Sequence, residues 1–427
     1  MSFWKILFSS AVLVTLLTSC AKEPVAESLP LSNFQVHDLI PARAVELPST
    51  NGLALLCKRS IDDPVIASAV LFNANGEITS RMDFSTLPNV VENITFGLEE
   101  AYITDLVPMA DGSFILLGLG RQTDIEDRLH LLVYRVDATG SALTAPVRRF
   151  VADKSTLVQA ENLDQLYRSK ALGALLSNDR LVVTVRYDRL EGPITNAYQR
   201  SYQVGLSASV GSYGSAPVQL AVNSHLLRGT LADGMGGSFT LMDATNGPGT
   251  QLTVQRTTWG TSAIAGTESD MLPLRDADPM AFRMVDNDLV IAGNYQIEAD
   301  VHRPFFCRAG SPSGLGASIV FPDIGGTDHS ANIAALVPTT TGFNVVCNVY
   351  DRPVMSVRAM RDDLFCDLLT ATLSANGALI DTQDLITGSG LRALGAYGQQ
   401  GEHITGAFHP FNNTEYVHCF VAASTHY

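Results

Sequence analysis

Basic residues are scarce in this chain. Its 427 residues carry 28 Lys and Arg against 43 Asp and Glu. Removing residues 1–19 takes away Lys5 alone, leaving 27 positive against 43 negative side chains, a net charge of −16. A surface of that sign repels phosphate backbones and anionic headgroups, which argues against nucleic acid or an anionic membrane surface as a partner. Tryptophan occurs only at Trp4 and Trp259. Helical periodicity is nearly absent: Val158 to Ala174 comes closest to an amphipathic helix, and it reads as well as a loop. After the N-terminal segment, no apolar run reaches the roughly 20 residues of a bilayer-spanning helix. A Gly-x-Ser-x-Gly elbow, a phosphate-binding glycine loop, His-Glu-x-x-His and an EF-hand loop are all missing. No cofactor and no metal is therefore expected. Asp276, Asp278, Asp286 and Asp288 lie close together, but their spacing suits turns better than calcium ligation. His403, His409 and His418 read as solvated or structural, because strand alternation does not converge them.

Six cysteines are present, and Cys20 stands apart from Cys57, Cys307, Cys347, Cys366 and Cys419. Five is an odd number, so complete pairing within one chain is excluded. Each of the five sits in an apolar run, where cysteine behaves as a small buried hydrophobe. Cys347 and Cys366 flank a loop centred near Ser356, and a hairpin there leaves both a disulfide and two free thiols open.

What the chain does have is a repeated strand pattern. The clearest copy runs from Val107 to Leu143. A polar turn, Ala110-Asp111-Gly112, feeds the apolar run SFILLG; a charged loop follows, then LHLLVYRV and the turn Ala138-Thr139-Gly140. Turns feeding apolar runs recur at Asn51-Gly52, Asn178-Asp179, Gly236-Gly237, Asn287-Asp288, Thr341-Gly342 and Gly401-Glu402. Counted on the second turn residue, the intervals are 60, 67, 58, 51, 54 and 60. With 34 glycines and many β-branched residues in short runs, the chain reads as all-β. Seven units of roughly four strands predict one β-propeller of seven blades, with eight as the alternative. Blades stacked side by side cover their middle strands on both faces, so those strands should read as continuous apolar runs, as FILLG and LVVTV do. Asn33 to Leu39 precedes the first unit and is placed to supply the last unit's outer strand, closing the ring.

The N-terminus predicts a location. Ile6 to Leu17 is apolar apart from Ser and Thr, too short to span a bilayer and suited to the core of a secretory signal. It runs into Leu17-Thr18-Ser19-Cys20, which resembles the bacterial lipobox. The resemblance implies a signal peptide at 1–19, lipidation of Cys20, a flexible tether at 20–32 and a propeller domain at 33–427. Acyl chains on Cys20 would hold the protein to a lipid bilayer, each buried methylene contributing about 0.8 kcal/mol. Residue 21 is Ala rather than Asp, which by the same resemblance directs the protein to the outer membrane. Lys22-Glu23 resembles the surface-export tags of some Gram-negative lipoproteins. The module DGSFILLG…VYRVDATG resembles the degenerate propeller repeats of bacterial surface lipoproteins, of the broad kelch and quinoprotein-like kind. The tryptophan signature of the quinoprotein repeats is missing, and the kelch double glycine occurs once in place, at Gly236-Gly237.

Function is expected in the connections after each second strand, which a propeller gathers on one face. Candidate ligand-binding residues are Arg59, Arg121, Tyr187, Arg189, Tyr295, Arg303, Tyr350 and Arg352. Tyrosine offers a flat stacking face and arginine a planar fork for carboxylates. The same residues also read as solvated loops whose charges pair between units. The expectation is a non-catalytic module for a glycan, peptide or protein partner. The alternative is a hydrolase or lyase, which for glycosides would need two carboxylates about 5–10 Å apart.

The lipid anchor is checked by detergent partition. Wild type should enter the detergent phase with a blocked N-terminus and Cys20→Ala should not; equal partition would contradict the assignment.

Overall fold

The computed structural model describes residues 31–60, 65–87, 100–122, 128–152, 170–177, 179–191, 196–207, 218–219, 224–245, 250–260, 263–298, 301–311, 314–325, 330–350, 366–386, 391–399, 401–408 and 418–424. Among these residues the regular elements are strands, apart from one short 3-10 turn at Phe84–Thr86. Strand β1 (Leu31–His37) comes first. Unit 1 is β2 (Ile40–Leu47), β3 (Gly52–Lys58), β4 (Ile66–Phe72) and β5 (Ile78–Asp83). Unit 2 is β6 (Glu100–Pro108), β7 (Phe114–Gln122), β8 (Arg128–Val136) and β9 (Val147–Ala152). Unit 3 is β10 (Lys170–Leu175), β11 (Arg180–Glu191), β12 (Asn196–Ser207) and β13 (Val218–Gln219). Unit 4 is β14 (Ser224–Ala232), β15 (Gly237–Thr245), β16 (Thr250–Trp259) and β17 (Ile264–Arg275). Unit 5 is β18 (Asp278–Val285), β19 (Asp288–Glu298), β20 (Val301–Ser311) and β21 (Gly314–Val320). Unit 6 is β22 (Ser330–Pro338), β23 (Gly342–Tyr350), β24 (Cys366–Ser374) and β25 (Leu379–Ile386). Unit 7 is β26 (Leu391–Tyr397), β27 (His403–Phe408) and β28 (His418–Ser424), with β1 as its fourth strand.

Each unit is an antiparallel meander, and a single bridge, Ile66 to Ile103, joins the sheets of units 1 and 2. The first strands form a ring. β2 packs against β6, β6 against β10, β10 against β14, β14 against β18, β18 against β22, β22 against β26, and β26 back against β2. A closed ring of radially stacked four-stranded sheets is a β-propeller. The described strands sort into seven units with none left for an eighth. Strand β1 pairs antiparallel with β28, Val36 against Phe420 and His37 against Cys419. The N-terminal segment thus supplies the outer strand of the last unit, as expected from its place before the first repeat.

Burial follows the radial order. The second strand of unit 6, GFNVVCNVY, is buried at every position, whereas the outermost strand of unit 4 is exposed over most of its length. The repeated turns lie between first and second strands, where Asn51, Gly112, Asp179 and Asn287 take positive φ angles. Six of the seven inner strands share a further feature. Their register with the second strand slips at one equivalent place, between Pro41/Arg43, Ile103/Asp105, Leu227/Gly229, Pro279/Ala281, Ile333/Ala335 and Ala393/Gly395. A bulge bends a strand and re-aims the extra residue. Thr104 and Arg228 are two such residues, and both reach the next unit: Thr104 Oγ1 donates to Ala171 O at 2.7 Å, and Arg228 Nη1 donates to Asp278 at 2.8 Å. Backbones run close here: a Cβ on Gly229 would collide with the Phe282 ring of unit 5.

One ion pair ties inner strands that a simple stack would leave apart, and a second carboxylate links three consecutive units. Glu46 of unit 1 meets Arg283 of unit 5 at 3.3 Å, and Arg283 also donates to Leu336 O of unit 6 at 3.1 Å. Units 1 and 5 are not neighbours, so this contact crosses the ring's centre. Glu46 exposes 41% of its side chain, yet burial pushes its carboxyl pKa up, with Arg283 opposing. Both hold for a group in a narrow lumen walled by protein. Asp105 of unit 2 accepts from Arg43 of unit 1 at 2.9 Å and from the Gly173 N–H of unit 3 at 2.9 Å. It is buried, which raises its pKa, with Arg43 pulling the other way.

Two readings left open by the sequence are resolved here and one expectation is corrected. Of Val158–Ala174, only Lys170–Ala174 is described, and it is strand, not helix. Cys347 and Cys366 do not face each other: Cys347 lies opposite Leu369 and Cys366 opposite Tyr350. The hairpin is three residues out of register for a disulfide, and all five described cysteines are buried free thiols. Burial pushes the thiols of Cys57 and Cys307 up to about 12. Third, β11 and β12 run on past the expected loop start at Tyr187 as far as the pair Glu191–Asn196.

Asp105 gives a pH test. Its folded pKa is raised, so the folded state holds the proton more tightly than the unfolded chain, whose aspartate pKa is about 3.9. The group's contribution is full below that value and is lost as pH rises through the folded pKa. Urea midpoints of wild type and Asp105→Asn, measured upward from pH 4, should therefore diverge, wild type losing ground as pH rises. Parallel curves would contradict the account. Asp105→Leu strands the Gly173 N–H and Arg43 and should cost on the order of 3 kcal/mol.

Candidate functional site

In a meander, inner strands begin where second strands end, so one face of the ring carries both. That entry face holds the described ligand-binding candidates singled out in the sequence. Arg59 is exposed just after β3. Arg121 lies in β7, opposite Glu100 and Leu129. Tyr187 and Arg189 lie within β11, opposite Arg200 and Tyr198. Arg352 and Cys20 lie outside the described residues. Tyr295 and Arg303 are brought together, directly opposite each other on β19 and β20. Phe321, just past β21, joins them with its ring centroid 4.8 Å from that of Tyr295. Phe321 is 51% exposed. Partial burial raises the Tyr295 phenol pKa, with Arg303 opposing. The result is a tilted aromatic pair with a guanidinium beside it, open at the rim of unit 5.

Tyr350 is not on a loop. It is the last residue of β23 and fully buried, so its ring offers no stacking face. Burial pushes its phenol pKa far up, while Arg392 pulls it down. Tyr350 belongs to a polar layer inside the entry face. Asp243, Asn294 and Asn348 occupy equivalent positions in the second strands of units 4, 5 and 6, and all three are buried. Each pairs in register with the first-strand residue Leu226, Asp278 or Asn332. Between units 4 and 5, Arg228 donates to Asp243 at 2.7 Å, to Asp278 at 2.8 Å and to Ala277 O at 3.3 Å. Between units 6 and 7, Ala393 N donates to Asn348 Oδ1 at 2.8 Å, and Asn348 Nδ2 donates to Asn332 Oδ1 at 3.1 Å. Asn332 Nδ2 then donates to the Tyr350 oxygen at 3.3 Å.

The acidic cluster divides. Asp276 and Asp286 sit at positive φ in turns, and Asp288 pairs with Arg308 at 2.7 Å. Asp278 instead belongs to the Arg228 fork, which its sequence position alone did not indicate. His403 stacks on Tyr397 and His418 lies 3.6 Å from Asp38; His409 lies outside the described residues. Among the described residues no group of three or more His, Cys, Asp or Glu could hold a metal ion. Phe321, Asp243, Asn294, Asn332, Asn348 and Arg392 were not singled out in the sequence. A polar residue late in an apolar second strand, as in FNVVCNVY and LVIAGNY, repeated in consecutive units, is the signal that could have found three of them.

No family model and no curated protein matches the chain. Solved structures similar to it include Drosophila Semaphorin 1a, extracellular domains 1-2, at 9% identity and TM-score 0.46, covering 92% of this chain and 88% of that one. Prolyl oligopeptidase B from Galerina marginata aligns at 12% identity and TM-score 0.43, and Trypanosoma rangeli sialidase at 10% and 0.40, each covering 92% of this chain. The chain spans 49% and 59% of the lengths of those two structures. At such similarity no residue role passes from them to this chain.

Proposed function

We propose that the protein is a binding module, anchored through Cys20 to the outer membrane, that seats a glycan or peptide on the propeller's entry face. The observation that carries this is the open Tyr295–Phe321 pair beside Arg303. Exposed aromatic faces of this kind take the flat apolar side of a sugar or the side chain of a peptide, and the guanidinium adds a fixed donor fork. A rigid ring keeps the rim in place without ordering costs on binding. The hydrolase alternative needs two carboxylates free to act across a substrate. The buried carboxylates described near the ring, Asp105, Asp243 and Asp278, are each engaged by arginine. That favours binding over turnover.

The test is a glycan and peptide array probed with the mature chain and with Tyr295→Ala/Phe321→Ala. Because the pair lies at the rim, the double variant should melt near wild type and lose affinity about tenfold, the scale of lost aromatic stacking. Hits retained at full strength would remove the rim from the account. Turnover of a bound ligand would replace a binding module with an enzyme.

A further inference from the structure

Four arginines lie on described inner strands, and three of them are paired. Arg43 meets Asp105, Arg228 meets Asp243 and Asp278, and Arg283 meets Glu46 and Leu336 O. The fourth, Arg392, is the second residue of β26, at the entry-face end of the ring. It is only 9% exposed, and its Nε is buried without an acceptor. Arg392 has no hydrogen-bond or ion-pair partner among the described residues. A buried guanidinium without a counter-ion works against the fold, because it has lost its water and gained nothing in return.

The hydrogen-bond chain beside it adds a second observation. Ala393 pins the sense of that chain, its N–H donating to Asn348 Oδ1 and its carbonyl accepting from Asn348 Nδ2 at 3.2 Å. Asn332 must then turn its oxygen toward Asn348 and its amide N–H toward Tyr350. Tyr350 therefore accepts, and its own O–H proton is left over as a donor. All these partners face the boundary between units 6 and 7.

We propose that this boundary is a carboxylate subsite, in which Arg392 supplies the charge and the Tyr350 O–H a neutral donor. The proposal rests on the binding reading and gives the ligand a chemical class: one bearing a carboxylate, whether a uronic acid or a peptide terminus. A positive charge with no counter-ion among the described residues matches a monoanion, and a planar guanidinium matches a planar carboxylate in bidentate fashion. The Arg228 site between units 4 and 5 carries its own two carboxylates and has no positive charge to offer.

The experiment measures thermal unfolding of the mature chain with acetate and glucuronate, against acetamide, glucose, sodium chloride and inorganic phosphate at matched ionic strength. The carboxylates should raise Tm and the uncharged counterparts and chloride should not. In the absence of ligand, Arg392→Met should melt at or above wild type, since it removes an unpaired buried charge, and its response to carboxylates should vanish. Arg392→Lys, which keeps the charge but loses the fork, should weaken the response about tenfold or more. Tyr350→Phe should weaken it several-fold. The proposal is overturned if Arg392→Met melts well below wild type, if acetate does no more than chloride, or if phosphate stabilises more than either carboxylate. Array hits that depend on Tyr295 and Phe321 but ignore Arg392→Met would sink the subsite and leave the rim. A carboxylate response that survives in Tyr295→Ala/Phe321→Ala, with no array hit, would sink the rim and leave the subsite.

Discussion

Each four-stranded unit has two apolar faces and can cover neither by itself. Burial of Leu55, Leu117, Val183, Leu241, Ile291, Val345 and Ile404, each in a second strand, depends on a neighbouring unit on either side. An open row would leave two faces wet, so the stack has to close. Closure falls on two contacts, β26 against β2 and β28 against β1. The inner-strand bulges follow from the same constraint, since seven strands converging on an axis must bend and must carry small residues where backbones meet. The Glu46–Arg283 contact crosses that axis and braces units that share no side.

Ring geometry was legible because its signals are local. Turn pairs such as Asn51-Gly52 and Asp111-Gly112 mark where first strands give way to second strands, and continuous apolar runs mark strands covered on both faces. The segment before the first repeat was legible as a closing strand for the same reason. Registers were not. Cys347 and Cys366 looked symmetric about a loop, but the hairpin pairs Tyr350 with Cys366, and a shift of three residues separates the thiols. Tyr187 and Arg189 looked like loop residues because tyrosine and arginine are polar enough for a loop, yet β11 simply runs on.

The candidate site was half legible. Tyr295 and Arg303 are neighbours across a hairpin, which sequence spacing alone suggests. Phe321 reaches them from beyond β21, a contact that only the folded ring makes. Tyr350 was named as a surface stacking residue and is a buried member of a polar chain. Its place explains why an apolar second strand carries Asn348: the amide satisfies the backbone of Ala393 in the next unit. A buried polar layer of this kind costs stability unless every donor and acceptor is met. Here Arg228 meets its two carboxylates between units 4 and 5, while the Asn294 amide and the Arg392 Nε are left without hydrogen-bond partners among the described residues, and sites that bind are where such mismatches collect.

The central claim is that the chain folds as one closed ring fastened by its N-terminal strand. The direct measurement is urea unfolding of the mature chain and of a chain beginning at residue 40, followed by both tryptophan fluorescence and circular dichroism. The account predicts one cooperative transition in the full chain, coincident by both probes, and a clearly lower midpoint when β1 is gone. An unchanged midpoint, or two separate transitions in the full chain, would contradict it.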